Sequence, residues 1–254
     1  MTLIVTVISN WGIIQAADSN LSTDSGAAGV GTKVFHLGFT GAALAIAGTY
    51  SVGGQTMELW MPACIDAYAG SDQPTLAGFA DYLGHRLGDE ATNEERSSGS
   101  LIHIAGYVVQ DSAAHPEFFF VRNIEHINGQ TGEYVGRSPD YDVTEDFWNR
   151  DYLQGATREA LASGGHQCYF NGYPPGRIAY LGLSAELHKF FEQVWHHPDW
   201  HFRQPRSVDE LASIVDLEIR AIGTMFACSD YPAPYIGGKP QIVRIPPPPD
   251  AVAL

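Results

Sequence analysis

Basic residues are scarce in this sequence: 14 Lys and Arg stand against 29 Asp and Glu in 254 residues, leaving a formal net charge of −15. A chain so acidic repels a phosphate backbone, which argues against nucleic acid as a partner. Cysteine is also scarce. The three thiols, Cys64, Cys168 and Cys228, are odd in number and far apart, which argues against a disulfide framework and against any CxxC metal pair; buried, reduced thiols are expected. No run approaches the roughly 18 apolar residues of a membrane helix. The best candidate, residues 41–54, is short and built of small side chains, so no membrane association is expected. A secretory leader opens with basic residues, but the first basic residue here is Lys33 and the apolar opening breaks at Asn10; a cytoplasmic protein is expected. The glycine turns at residues 29–31 and 53–54 lack the GxGxxG or GxxxxGK context of phosphate cradles, and no cofactor is expected.

What the sequence does have is apolar surface: 44% hydrophobic and 11% aromatic residues with only 17% charged, the composition of a globular domain. Residues 2–8 (TLIVTVI) form a near-continuous β-branched run, residues 9–12 supply turn chemistry, and residues 13–18 (IIQAAD) can return antiparallel, giving an opening hairpin. A Ser/Gly/Ala-rich loop at 19–32 leads to strands at 33–39 and 42–47. Residues 56–87 carry a helical period, with Leu76, Phe79, Ala80 and Leu83 on one face and Pro62 and Pro74 as interruptions. A polar loop is expected at 90–100, then a second hairpin from strands at 101–109 and 117–124. Ser184 can cap a helix carrying Leu187, Phe190, Phe191 and Val194. The Ser207/Glu210 pair opens another, with Val208, Leu211, Val215, Ile219 and Ile222 on one face. A short strand at 241–245 precedes an exposed Pro-rich tail at 246–254. Residues 138–206 show no clean period until Leu183 and read as an insertion on a single domain spanning 1–254. This order suits helices packed on the outer faces of stacked sheets.

The candidate chemistry lies at the N-terminus. If Met1 is removed, which the small Thr2 favours, Thr2 presents a hydroxyl and a free α-amine together. An α-amine with a pKa near 8 is partly neutral at physiological pH and can serve as the hydroxyl's own base. The hairpin returns Asp18 towards Thr2, and Lys33 begins the next strand. A buried cation there lowers the amine's pKa and stabilises developing negative charge, while the carboxylate fixes the cation. The bland readings are a strand-start Thr2, a turn carboxylate at Asp18 and a solvated Lys33.

These residues carry a resemblance. The segment MTLIVTVISNWGIIQAADSNLS, with TKVFHLG following, resembles the start of proteasome-type β subunits and of the related HslV peptidase, members of the N-terminal nucleophile hydrolases. The resemblance implies Thr2 as nucleophile, Asp18 as the carboxylate orienting the lysine, Lys33 as cationic activator, and Gly48 as donor of an oxyanion-hole amide. Asp230 with Gly237 and Gly238 before the strand QIVRI is similar to the end of a β subunit, and Ser163-Gly164-Gly165 is a candidate for the family's Ser/Gly motif. The implied fold is α+β, a four-layer αββα sandwich of two mostly antiparallel sheets with helices on the outer faces. The implied activity is hydrolysis of amide bonds in peptides or unfolded proteins, by a homo-oligomeric ring, with no metal. An ATPase cap, the ring size and the exact substrate carry no sequence signal. Asn20 stands where many members have a basic residue and the middle third of the chain matches poorly, which motivates a rival, a catalytically silent structural or binding subunit; a small-molecule amidase on the same scaffold is a third reading. His188, His196, His197 and His201 lack zinc-ligand spacing and read as part of a Trp-rich contact surface.

Overall fold

The computed structural model describes residues 2–23, 26–110, 113–124, 126–127, 134–136, 138–145, 161 and 165–249. The opening β-branched run forms β1 (Leu3–Ser9), which turns at Asn10 and Trp11 into β2 (Gly12–Ala17), all buried. Ile4 sits opposite Ala17 and Val5 opposite Ala16. Next come β3 (Asn20–Thr23), β4 (Gly26–Val30), β5 (Val34–Leu37) and β6 (Ala42–Gly48). The pair β7 (Ser51–Val52) and β8 (Gln55–Thr56) closes over Gly53 and Gly54, both at positive φ, as a two-residue hairpin turn demands. Helices α1 (Met57–Ala69), α2 (Leu76–Glu90) and α3 (Asn93–Ser98) follow, then β9 (Ser100–Gln110), β10 (Ala113–Arg122), β11 (His126–Ile127), β12 (Tyr134–Val135), β13 (Asp142–Glu145) and β14 (His166–Gly172). The chain closes with α4 (Pro174–Trp195), α5 (Val208–Ala227) and β15 (Gln241–Ile245).

The expected fold class is corrected. The described residues are 36% helix and 34% strand, and their strands divide among separate antiparallel sheets. One is four-stranded in the order β14-β1-β2-β15, one five-stranded in the order β13-β10-β9-β6-β5, and three are two-stranded ribbons. A four-layer sandwich of two sheets does not describe this arrangement. The physical reason lies in the turns: Gly- and Ser-rich connections let short segments pair with their own neighbours, as in β3–β4, before they reach a larger sheet.

Three apolar clusters hold the elements. Phe79, Ala80, Leu83 and Leu87 of α2 pack with Leu44, Ile46 and Ile104 of the five-stranded sheet. Leu211, Val215, Ile219 and Ile222 of α5 pack with Leu3, Val5 and Ile14 of the four-stranded sheet. Ile4, Ile8 and Ile13 meet Ala43, Ala45 and Ala105 in a third cluster, whose small side chains let strands of different sheets approach closely.

A buried polar chain crosses that third cluster. Thr6 donates its hydroxyl proton to Gln15 Oε1 (2.8 Å). His103 Nδ1, 2.8 Å from Thr6 Oγ1, is therefore the donor in that contact. Asn171 Nδ2 can only donate to His103 Nε2, at 2.9 Å. The imidazole is thus the neutral Nδ1–H tautomer, and complete burial pushes its pKa down to about 3.

Several elements depart from sequence expectation. The polar stretch 90–100 contains α3, held by a capping box in which Thr92 Oγ1 accepts from Glu95 N–H and Glu95 Oε2 accepts from Thr92 N–H. Helix α4 begins ten residues before Ser184, with prolines in its first turn, where their missing N–H groups cost nothing. The segment 138–206 supplies β14, which pairs along the whole of β1, and α4, which covers it. Of the expected tail, Pro246, Pro247 and Pro249 are exposed, and residues 250–254 lie outside the described residues.

Candidate active site

Thr2 is 6% exposed and directly precedes β1. Its carbonyl accepts the Tyr173 N–H at 2.7 Å. That approach requires Gly172, whose φ is +125°: a Cβ there would lie 1.9 Å from Thr2 O. The start of β1 is therefore fixed on one side by β14 and on the other by the end of β2.

Asp18 follows β2 and is fully buried. Its Oδ1 accepts the backbone N–H of Leu3, the residue after Thr2, at 2.9 Å, and also the Lys33 ammonium at 3.1 Å. Its Oδ2 accepts from Asn20 N–H (3.2 Å) and Gly237 N–H (3.1 Å). The Lys33 ammonium, 1% exposed, also donates to the carbonyl of Asn20. One carboxylate oxygen thus joins the backbone beside Thr2 to a buried cation. The electrostatics oppose each other. Burial pushes Lys33 down from the usual lysine value while the Asp18 charge pulls it up. Burial pushes Asp18 up, against Lys33 and the N–H groups of Leu3 and Gly237.

The sequence reading brought together Thr2, Asp18 and Lys33, and the structure places these three at one end of the β1–β2 hairpin. It singled out Asn20 and Gly237 without giving them this role, and it did not find Gln241. Gln241 in β15 accepts from Lys33 N–H (2.7 Å) and Val34 N–H (3.2 Å) through Oε1 and donates to Gly31 O through Nε2 (2.6 Å). Asn20 donates through Nδ2 to Pro234 O (2.9 Å), and Gly237 O accepts from the N–H groups of Ser19 and Asn20. The signal was an amide side chain at a strand start and the Gly237-Gly238 pair, but the partners lie more than 200 residues away in sequence. The buried Ser19 hydroxyl has no hydrogen-bond partner among the described residues.

Gly48 ends β6. The Ile46 N–H donates to Lys33 O at 2.9 Å, which puts Gly48 two residues, or about 7 Å, along the strand from the register of Lys33. Its φ of +110° and the Gly99 carbonyl, 2.1 Å from where a Cβ would sit, require glycine whatever the role of its amide. Asp230 is exposed in the turn after α5, and among the described residues no hydrogen bond or ion pair joins it to Asp18 or Lys33. Met1, Ser163 and Gly164 lie outside the described residues. Among the histidines, His196 and His188 face Glu192 (3.1 and 3.8 Å) and His197 stacks on Trp200. Among the described residues no helix is long and apolar enough to cross a membrane. No protein-family profile matches the chain, and no curated protein matches it.

Proposed function

We propose that this chain is an N-terminal threonine hydrolase that cleaves amide bonds in peptides, a reading that also rests on the resemblance of its opening segment to proteasome-type β subunits. The observation that carries it is the shared Asp18 Oδ1, which ties the buried Lys33 ammonium to the peptide N–H next to Thr2. With Met1 removed, Thr2 Oγ1 attacks the substrate carbonyl and its proton passes to the Thr2 α-amine. The positive charge of Lys33 holds that amine in its neutral, proton-accepting form and stabilises the tetrahedral oxyanion, to which the Gly48 N–H donates. The protonated amine then gives its proton to the leaving nitrogen, and water hydrolyses the ester to regenerate Thr2. The substrate is a peptide or unfolded segment, and the working unit is a homo-oligomeric ring.

Intact-mass spectrometry of the purified protein together with hydrolysis of a fluorogenic peptide amide tests this reading. The expected result is loss of Met1, with turnover abolished in Thr2→Ala and retained in Thr2→Ser. Turnover by a species that keeps Met1 overturns it.

One observation favours a second reading, a silent subunit of the same kind. The bonds from Lys33 to Asp18 and Asn20, and from Asp18 to Gly237, also serve as a cross-link between distant chain segments. That reading expects stable oligomers with Met1 intact or Thr2 unreactive, and no turnover.

A further inference from the structure

A concave feature lies away from Thr2. A cavity of about 630 Å³ opens between the helix-covered face of β1 and β14 and the helices α4 and α5, and none of Thr2, Asp18, Lys33 and Gly48 lines it. Its nearest β1 residue, Val7, is five positions beyond Thr2, or about 16 Å along a strand. The volume falls in the range of small-molecule sites. Phe170, Leu211, Phe191 and Trp195 supply apolar walls, the last two stacked at 5.4 Å.

The floor holds a group that the surrounding apolar stripe does not explain. Leu211, Val215 and Ile222 mark one face of α5 at helical spacing, and Glu218 occupies the place in that stripe where a further apolar residue belongs. Its side chain lines the cavity at 5% residue exposure. The Tyr180 hydroxyl donates to its Oε2 at 2.8 Å, and Tyr180 is itself only 2% exposed. Burial pushes the carboxyl above its ordinary range, and the hydrogen bonds from Tyr180 and Ser184 only partly offset this. Among the described residues no lysine or arginine lines the cavity. Of its two histidines, His166 is pushed down by burial and by His188, and His188 faces Glu192 rather than Glu218. Glu192, the other carboxylate of the lining, is paired with His188 and His196. The ionised form of this carboxyl is costly here, and a positive charge delivered on an apolar body would offset that cost.

We propose that this cavity binds a small arylalkylamine, its ammonium paired with Glu218 and its ring held between the walls formed by Phe191, Trp195 and Leu211. Anionic and neutral ligands of similar shape are disfavoured, because the described lining offers them the Glu218 carboxyl and no lysine or arginine. The site is independent of the hydrolase reading, since it uses no residue of the N-terminal cluster.

Isothermal titration calorimetry at pH 7.5 with three probes that share an indolylethyl frame tests it: tryptamine, the alcohol tryptophol, and the acid indole-3-propionate. Tryptamine binds one site with a Kd on the order of 100 µM, tryptophol at least ~10-fold more weakly, and the acid not measurably. Glu218→Gln keeps the hydrogen bond from Tyr180 and brings tryptamine to the level of tryptophol while leaving tryptophol unchanged, a selectivity that a purely structural glutamate would not set. Ala185→Trp, at an exposed helix position on the cavity wall, blocks both ligands without lowering the melting temperature, and Thr2→Ala alters neither. Absence of saturable tryptamine binding, equal affinity for amine and alcohol, or an amine preference that survives Glu218→Gln overturns the proposal. The wild-type comparison stands without the variants should either fail to fold.

Discussion

Lys33 and Asp18 are each expensive to bury and are tolerated only as a pair, which makes them sensitive at the level of single atoms. Lys33→Met leaves the Asp18 carboxylate without its cation and is expected to cost about 3–5 kcal/mol in urea denaturation. The double variant Asp18→Asn/Lys33→Met recovers part of that loss, whereas additive losses would mean that the pair is not coupled. His103 gives the second residue-scale expectation. Its pKa is about 3 when folded and near the ordinary 6.5 when unfolded, so between these values the unfolded chain binds more protons. Stability therefore falls as pH drops from about 6.5 towards 3, by roughly 3–5 kcal/mol in all. His103→Gln flattens that limb in pH-dependent melting curves; an unchanged limb would show that other groups govern acid unfolding. At this scale Asp18 and Lys33 were legible because a hairpin and the strand after it are local objects. Gln241, Asn20 and Gly237 were not, because their roles exist only once the chain ends meet.

Among elements, the clearest signals were runs whose burial pattern repeats at their own period. Both β1 and β2 are buried at every position, and α5 shows its stripe and its Ser207 cap, with Ser207 Oγ accepting from Glu210 N–H. The strand β14 was missed because HQCYFNG is half-buried at nearly every position and so has no alternation. Pro174, Pro175 and Gly176 masked the start of α4, although the first turn of a helix is where proline fits. Helix α3 was missed because six mostly polar residues leave no stripe, and only the Thr92/Glu95 box marks it. The β14–α4 junction also bears on function. Gly172→Ala forces a Cβ against Thr2 O and into a positive φ, with an expected stability loss of about 2–4 kcal/mol. Because it displaces Thr2, peptide hydrolysis falls more steeply than the folded fraction. Activity that tracks the folded fraction alone would mean that β14 does not position Thr2.

At the scale of the molecule, the sequence specified which segments are strands and helices far better than which strands pair. Alternation and helical stripes are local, whereas the division of strands among a four-stranded sheet, a five-stranded sheet and three ribbons depends on turn geometry and on side chains such as Gln15 and His103 that link different sheets. The same long-range closure creates the candidate site: β15 brings Gln241 to Lys33, the segment before it brings Gly237 to Asp18, and β14 seats the carbonyl of Thr2. The central claim is that this closure makes Thr2 a nucleophile. Treatment with a peptide vinyl sulfone followed by tandem mass spectrometry of the digested protein tests it most directly. A single adduct on the Oγ1 of a Met1-trimmed Thr2, absent in Thr2→Ala and slowed about 10³-fold in Lys33→Met, is the expected result. An adduct elsewhere in the chain, or none on a folded protein with Thr2 at its N-terminus, would contradict it.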